Sequence, residues 1–180
     1  MTLASYISSL RIILIIPIIF LTSFQISAYN YLSLFLFIIA GLTDYIDGYI
    51  ARKTNTETSL GALLDLLADK LLVCGLLIWF ISLNDSLFYT IPTIVIITRE
   101  LTISSMRQFL LEKRELKELK VSYIAKSKTT MQIICLSLII ISPEFGNLFY
   151  SFSLFLLCLT AMLSLFSFYD YMAKWFKDIF

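Results

Sequence analysis

Apolar residues in this chain run in long blocks instead of alternating, and the polar residues that interrupt them mark the ends of helices. Residues 12–43, 71–84, 129–143 and 145–169 contain no Asp, Glu, Lys or Arg. With the breaks at Gln25–Tyr29, Lys53–Thr58, Asn84–Ser86, Glu112–Lys120 and Pro143–Asn147, hydropathy predicts six helices, near 8–25, 30–52, 59–83, 87–111, 123–142 and 147–171. At about 1.5 Å per residue, each is long enough to cross a hydrocarbon layer of roughly 30 Å. Pro17 and Pro92 fall inside spans, where proline is tolerated as a kink. Without an internal repeat or a low-complexity linker, residues 1–180 read as a single all-α membrane domain.

Composition agrees, with 59% of residues hydrophobic and 15% charged. The distribution of charge says more than the net +1. The turns near 25–29, 84–86 and 143–147 carry no Lys or Arg, whereas the opposite ends carry Arg52, Lys53, Lys113, Arg114, Lys117, Lys120, Lys174 and Lys177. The positive-inside rule then predicts a multi-pass protein of the cytoplasmic membrane with both termini cytoplasmic. The segment 112–120, which alternates acids and bases, reads as a solvated helical extension.

Ionisable residues within spans are costly and tend to face a bundle interior or a watery cavity. In the predicted topology Asp44, Asp47, Asp65, Asp69, Lys70, Arg99, Glu100, Arg107, Lys126 and Lys128 all fall in the cytoplasmic half. They predict one polar cavity open to the cytoplasm. The outer halves look nearly featureless, which favours a dead-end site over the rival reading of a cation channel or transporter. No basic aromatic stripe suggests a nucleic-acid partner. The absence of histidine excludes histidine-based acid/base or metal chemistry. Cys74, Cys135 and Cys158 are too scattered for a zinc site or disulfide framework and read as packing residues. Arg11 ahead of an apolar run, with Ser27-Ala28 beyond it, gives the outline of a signal peptide, but a single positive charge favours an ordinary first span.

Asp44, Asp47, Gly48 and Ala51 share one helical face, as do Gly61, Asp65 and Asp69. The short loop at 53–58 makes the two helices antiparallel neighbours, so four carboxylates face each other. Mutual repulsion in a poorly solvated place demands cations. Hard oxygen donors suit Mg²⁺, Mn²⁺ or Ca²⁺, and two such ions held by four carboxylates could also neutralise a bound pyrophosphate. The small residues leave room either for a ligand against the backbone or for close helix packing. Spacing alone leaves both readings open.

The segment Asp44-Tyr-Ile-Asp47-Gly48-Tyr-Ile-Ala51-Arg52, followed after eight residues by Gly61-x3-Asp65-x3-Asp69, resembles the complete signature of the CDP-alcohol phosphotransferase family. The resemblance implies that Asp44, Asp47, Asp65 and Asp69 coordinate two divalent ions, Mg²⁺ or Mn²⁺, and that Asp69 is also the general base. It implies that Gly48, Ala51 and Gly61 accommodate the nucleotide of CDP-diacylglycerol and that Arg52 binds its phosphates. A homodimer among membrane lipids is also implied.

Arg99-Glu100, Arg107 and Lys126-Ser-Lys128-Thr129 resemble pieces found in the branch of the family that uses sn-glycerol 3-phosphate as acceptor. Physically, several cations on one side of a cavity suit an anionic acceptor; balancing the aspartates and Glu100 is the plainer alternative. On this reading Arg99, Arg107, Lys126 and Lys128 bind the acceptor phosphate, with phosphatidylglycerol, inositol phosphate or serine as rival acceptors. The chain departs from the usual pattern at Ala4-Ser5, Leu66 and Ala125, where Pro-Asn, Pro and Gly are typical; none of these removes a metal ligand.

Overall fold

The computed structural model of the chain describes the backbone of residues 3–54, 59–84, 86–112 and 123–179. Side chains are described within these segments except at 3–5, 44–54, 59, 60, 62, 107, 110–112, 123–127, 174 and 176–179. The described chain is all helical: α1 (Leu3–Ser23), α2 (Ser27–Thr54), α3 (Ser59–Leu83), α4 (Leu87–Glu112) and α5 (Tyr123–Ile179).

Helix α5 holds two of the predicted helices. It is interrupted at Gly146, whose φ of 78° and ψ of −174° are non-helical. Cys135 Sγ lies 3.8 Å from the Ser153 carbonyl, 18 residues along the chain. An unbroken helix would hold those residues about 27 Å apart. The chain therefore doubles back at Gly146, and the arms of α5 lie side by side.

The first predicted boundary needs correction, since α1 begins at Leu3 and not near 8. The apolar run sets the hydropathy edge, but the helix continues into Ser8, which is buried by its neighbours. Among the described residues four segments, Tyr6–Ser23, Leu63–Leu83, Leu87–Met106 and Lys128–Ala173, are long and apolar enough to cross a membrane; the last contains the Gly146 reversal. The apolar part of α2, Ser27–Thr43, is shorter. Ile13, Ile16 and Phe20 on α1 and Phe152, Phe155 and Phe166 on α5 are exposed. Such apolar surface on many helices suits lipid contact, as does the exposed Leu66 that departs from the family pattern.

Packing divides the helices into two groups. Helix α1 lies against α2 and α3, while α4 lies against α5; the groups meet through α2 on α5 and through thinner contacts of α3 with α4 and α5. Ile18, Phe37, Leu72, Leu76, Ile96, Leu136, Ile140 and Leu157 form the shared core. All three cysteines are free thiols. Many serine and threonine hydroxyls in the helices turn back on the carbonyl one turn earlier, as Thr22 to Ile18, Thr98 to Ile94 and Thr160 to Leu156. That satisfies them without water.

The end remote from Arg11 and Asp65 is not featureless, contrary to the sequence expectation. Asn30 Nδ2 donates to Glu144 Oε1 at 2.7 Å, Tyr150 Oη to Asn84 Oδ1 at 2.9 Å, and Trp79 Nε1 to Thr22 Oγ1 at 3.0 Å. Several of these groups line a cavity of about 250 Å³. Single amides and hydroxyls, one per turn or fewer, barely move a hydropathy average, which is why the sequence hid them.

Candidate active site

Helices α1 and α3 run parallel, since Arg11 meets Asp69 at one end and, further along both helices, Thr22 meets Trp79 at the other. Asp65 and Asp69, one turn apart on α3, therefore face the start of α1. There Arg11, with none of its surface exposed, places Nη1 at 2.6 Å from Asp69 Oδ1 and 3.4 Å from Asp65 Oδ1. The aspartate side chains remain 42% and 50% exposed. A buried guanidinium thus backs two carboxylates whose other surface is open. Gly61, one turn before Asp65, is partly exposed.

A second polar cluster joins α4 to both arms of α5. Glu100 Oε1 accepts hydrogen bonds from Lys128 Nζ and, at 3.2 Å, from Gln132 Nε2, and it lies 3.5 Å from Arg99 Nη1. Arg99 Nη2 donates to Ser167 Oγ at 2.8 Å on the distal arm. The side chains of Lys128, Arg99 and Glu100 are 2%, 9% and 15% exposed. Among the described contacts, two cations share one anion in this nearly buried cluster, an excess of one positive charge. Lys70, next to Asp69 in the chain, acts electrostatically on Lys128, as Arg99 does. The acidic pair and the basic cluster thus share one end of the bundle.

The structure brings together Asp65 and Asp69, and separately Arg99 and Lys128, as the sequence suggested. Arg99 and Lys128 both turn to Glu100, so the charge-balancing alternative weighed for them describes the observed contacts. Asp44, Asp47, Gly48, Ala51 and Arg52 lie on α2 and Arg107 and Lys126 on α4 and α5, but their side chains fall outside the described residues, as do those of Ala4, Ser5 and Ala125. Most of the 112–120 segment also lies outside them. Sequence reasoning gave Arg11 no place in the site. Its signal was available: an arginine leading into a long uncharged run needs a partner, and α3 supplies it. Gln132, one turn after Lys128, was likewise missed.

Half-open carboxylates one turn apart offer hard oxygen donors and fit a divalent ion such as Mg²⁺ or Mn²⁺. Among the described residues no three acidic, cysteine or histidine side chains gather into a metal-binding group. The other two aspartates of the motif are not among those side chains.

Residues 1–168 match the family described as CDP-alcohol phosphatidyltransferase. The chain belongs to that family. A Haemophilus influenzae protein named CDP-diacylglycerol–glycerol-3-phosphate 3-phosphatidyltransferase is 32% identical over 93% of this chain and 89% of its own length. Rickettsia bellii has a protein of the same name, 38% identical over 82% of this chain and 80% of its own. A third of that name, from Wigglesworthia glossinidia brevipalpis, is 42% identical over 59% of each. Family membership makes the chain a phosphotransferase.

Proposed function

We propose that the protein transfers the phosphatidyl group of CDP-diacylglycerol to sn-glycerol 3-phosphate, giving phosphatidylglycerophosphate and CMP. The observation that carries this reading is the Asp65–Asp69 pair beside the Arg99–Glu100–Lys128 cluster at one end of an apolar bundle. Carboxylates suit a cation-assisted diphosphate donor, and the net positive cluster suits a phosphate-bearing acceptor. The names of the relatives support the same donor and acceptor.

In this reading Asp69 accepts the proton of the acceptor's primary hydroxyl. The oxygen attacks the phosphorus bearing diacylglycerol, and CMP departs with the electron pair of the broken P–O bond. Asp44, Asp47, Asp65 and Asp69 would hold two divalent ions, which supply charge neutralisation for the diphosphate. Gly48, Ala51 and Gly61 would admit the nucleotide and Arg52 its phosphates, while Arg99, Arg107, Lys126 and Lys128 would receive the acceptor phosphate. Glu100 keeps Arg99 and Lys128 at a fixed separation. The six predicted helices would each cross the cytoplasmic membrane, the cavity and both termini facing the cytoplasm, where CMP and glycerol phosphate are soluble.

Purified protein supplied with CDP-diacylglycerol and Mg²⁺ should release CMP when glycerol 3-phosphate is added, and chelation of the metal should stop it. Release only with phosphatidylglycerol, inositol phosphate or serine would refute the acceptor assignment. Cation flux in liposomes without CMP release would refute the enzyme reading.

A further inference from the structure

We propose that Arg11 is a positioning residue for the transfer, holding the carboxylates of Asp65 and Asp69 in register from beneath. The inference rests on the reading of Asp69 as proton acceptor. One nitrogen, Nη1, reaches Oδ1 of both aspartates, at 2.6 Å and 3.4 Å, so one group contacts both carboxylates. The guanidinium is fully buried while the aspartates are half open. It therefore grips the inner edge of each carboxylate and leaves the exposed surface for ligands.

The two N–H bonds of Nη1 are fixed in the guanidinium plane, whereas the donors of a lysine ammonium rotate about its stem, so arginine holds the two acceptors at a more definite angle. Burial also makes its charge count for more, since little solvent screens it. Arg11 belongs to α1 and both aspartates to α3, so the contact additionally fixes the turn of α3 that carries the proposed base relative to its neighbour. Hydroxyl attack depends on such placement, and displacement of a reacting group by about 1 Å can cost on the order of 100-fold in rate.

The test compares wild type, Arg11→Gln and Arg11→Lys in nanodiscs, each checked for monodispersity. CMP release gives kcat and both KM values, and Mn²⁺ binding is followed by electron paramagnetic resonance. Arg11→Gln should lower kcat roughly 10- to 100-fold with the CDP-diacylglycerol KM little changed, the pattern of an interaction expressed in the transition state. Its Mn²⁺ affinity should hold or rise, because a cation beside the carboxylates has been removed. Arg11→Lys should recover only part of kcat, since it restores charge without the bridge.

Wild-type kcat in Arg11→Gln, or full recovery in Arg11→Lys, would overturn the proposal. So would loss of Mn²⁺ binding in step with kcat, which marks a strut of the ion site and not an orienting group. If Arg11→Gln does not fold, Asp69→Asn/Arg11→Gln, which removes both charges, should fold and still bind Mn²⁺; failure there also counts against it. Wild-type protein that releases no CMP with any acceptor overturns the functional reading alone, since the Mn²⁺ measurements still report on Arg11.

Discussion

Replacing Glu100 by glutamine should destabilise the protein far more than its partial exposure suggests. Its Oε1 is shared by Lys128, Gln132 and Arg99, and the two cations are 2% and 9% exposed. The substitution keeps the shape and removes the only anion that the described contacts place between them. Leaving buried cations without their counter-charge costs about 3–5 kcal/mol. For a chain of this size that corresponds to a fall in Tm on the order of 10 °C. Replacing both partners, in Glu100→Gln/Lys128→Met, removes the pair together and should return most of the loss, because an apolar substitute for a buried pair is close to neutral. Thermal unfolding of the four proteins in one detergent and lipid mixture completes a double-mutant cycle. A loss under about 1 kcal/mol for Glu100→Gln, the size of an exposed ion pair, would refute the buried-hub reading. So would additive losses in the double variant.

Asp69→Asn should abolish CMP release while retaining donor binding, because the amide oxygen can still ligate but cannot accept a proton; near-normal turnover would remove Asp69 from the base role. Arg107→Ala should raise the acceptor KM more than the donor KM in the same assay, and the reverse would move Arg107 to the nucleotide side. Gly146 occupies φ 78°, ψ −174°, with nothing within 4 Å of an added Cβ. That region is nearly restricted to glycine, so Gly146→Ala should cost about 1–3 kcal/mol from the backbone alone, read by thermal unfolding. Asn, which tolerates the left-handed helical region, should not rescue it.

Much of this architecture was legible in the sequence because lipid imposes a simple rule: long uncharged runs become helices, and charges within them must find company. The reversal inside α5 was visible at Pro143–Asn147, and the shared face of Asp65 and Asp69 followed from their spacing. Periodicity shows which residues share a face but not which distant helix that face meets. Arg11 therefore looked like a flanking charge until α3 was placed beside α1. Glu100 looked like a residue needing balance, and only packing revealed that Lys128, Gln132 and Arg99 converge on one of its oxygens. The end around Asn30, Asn84 and Tyr150 was lost to averaging, since apart from Glu144 its paired groups are neutral amides and hydroxyls that leave no charge pattern.

The separation of the helices into α1–α3 and α4–α5 groups has an evolutionary reading. Asp65, Asp69 and Arg11 belong wholly to the first group, while Arg99, Glu100, Lys128, Gln132 and Ser167 belong wholly to the second. The groups meet through α2 on α5 and through thinner contacts of α3 with α4 and α5. On the proposed function, changes in the α4–α5 cluster would alter the alcohol that is recognised without touching Arg11, Asp65 or Asp69. On that reading the division would let one donor chemistry serve different head groups without the bundle being refolded for each.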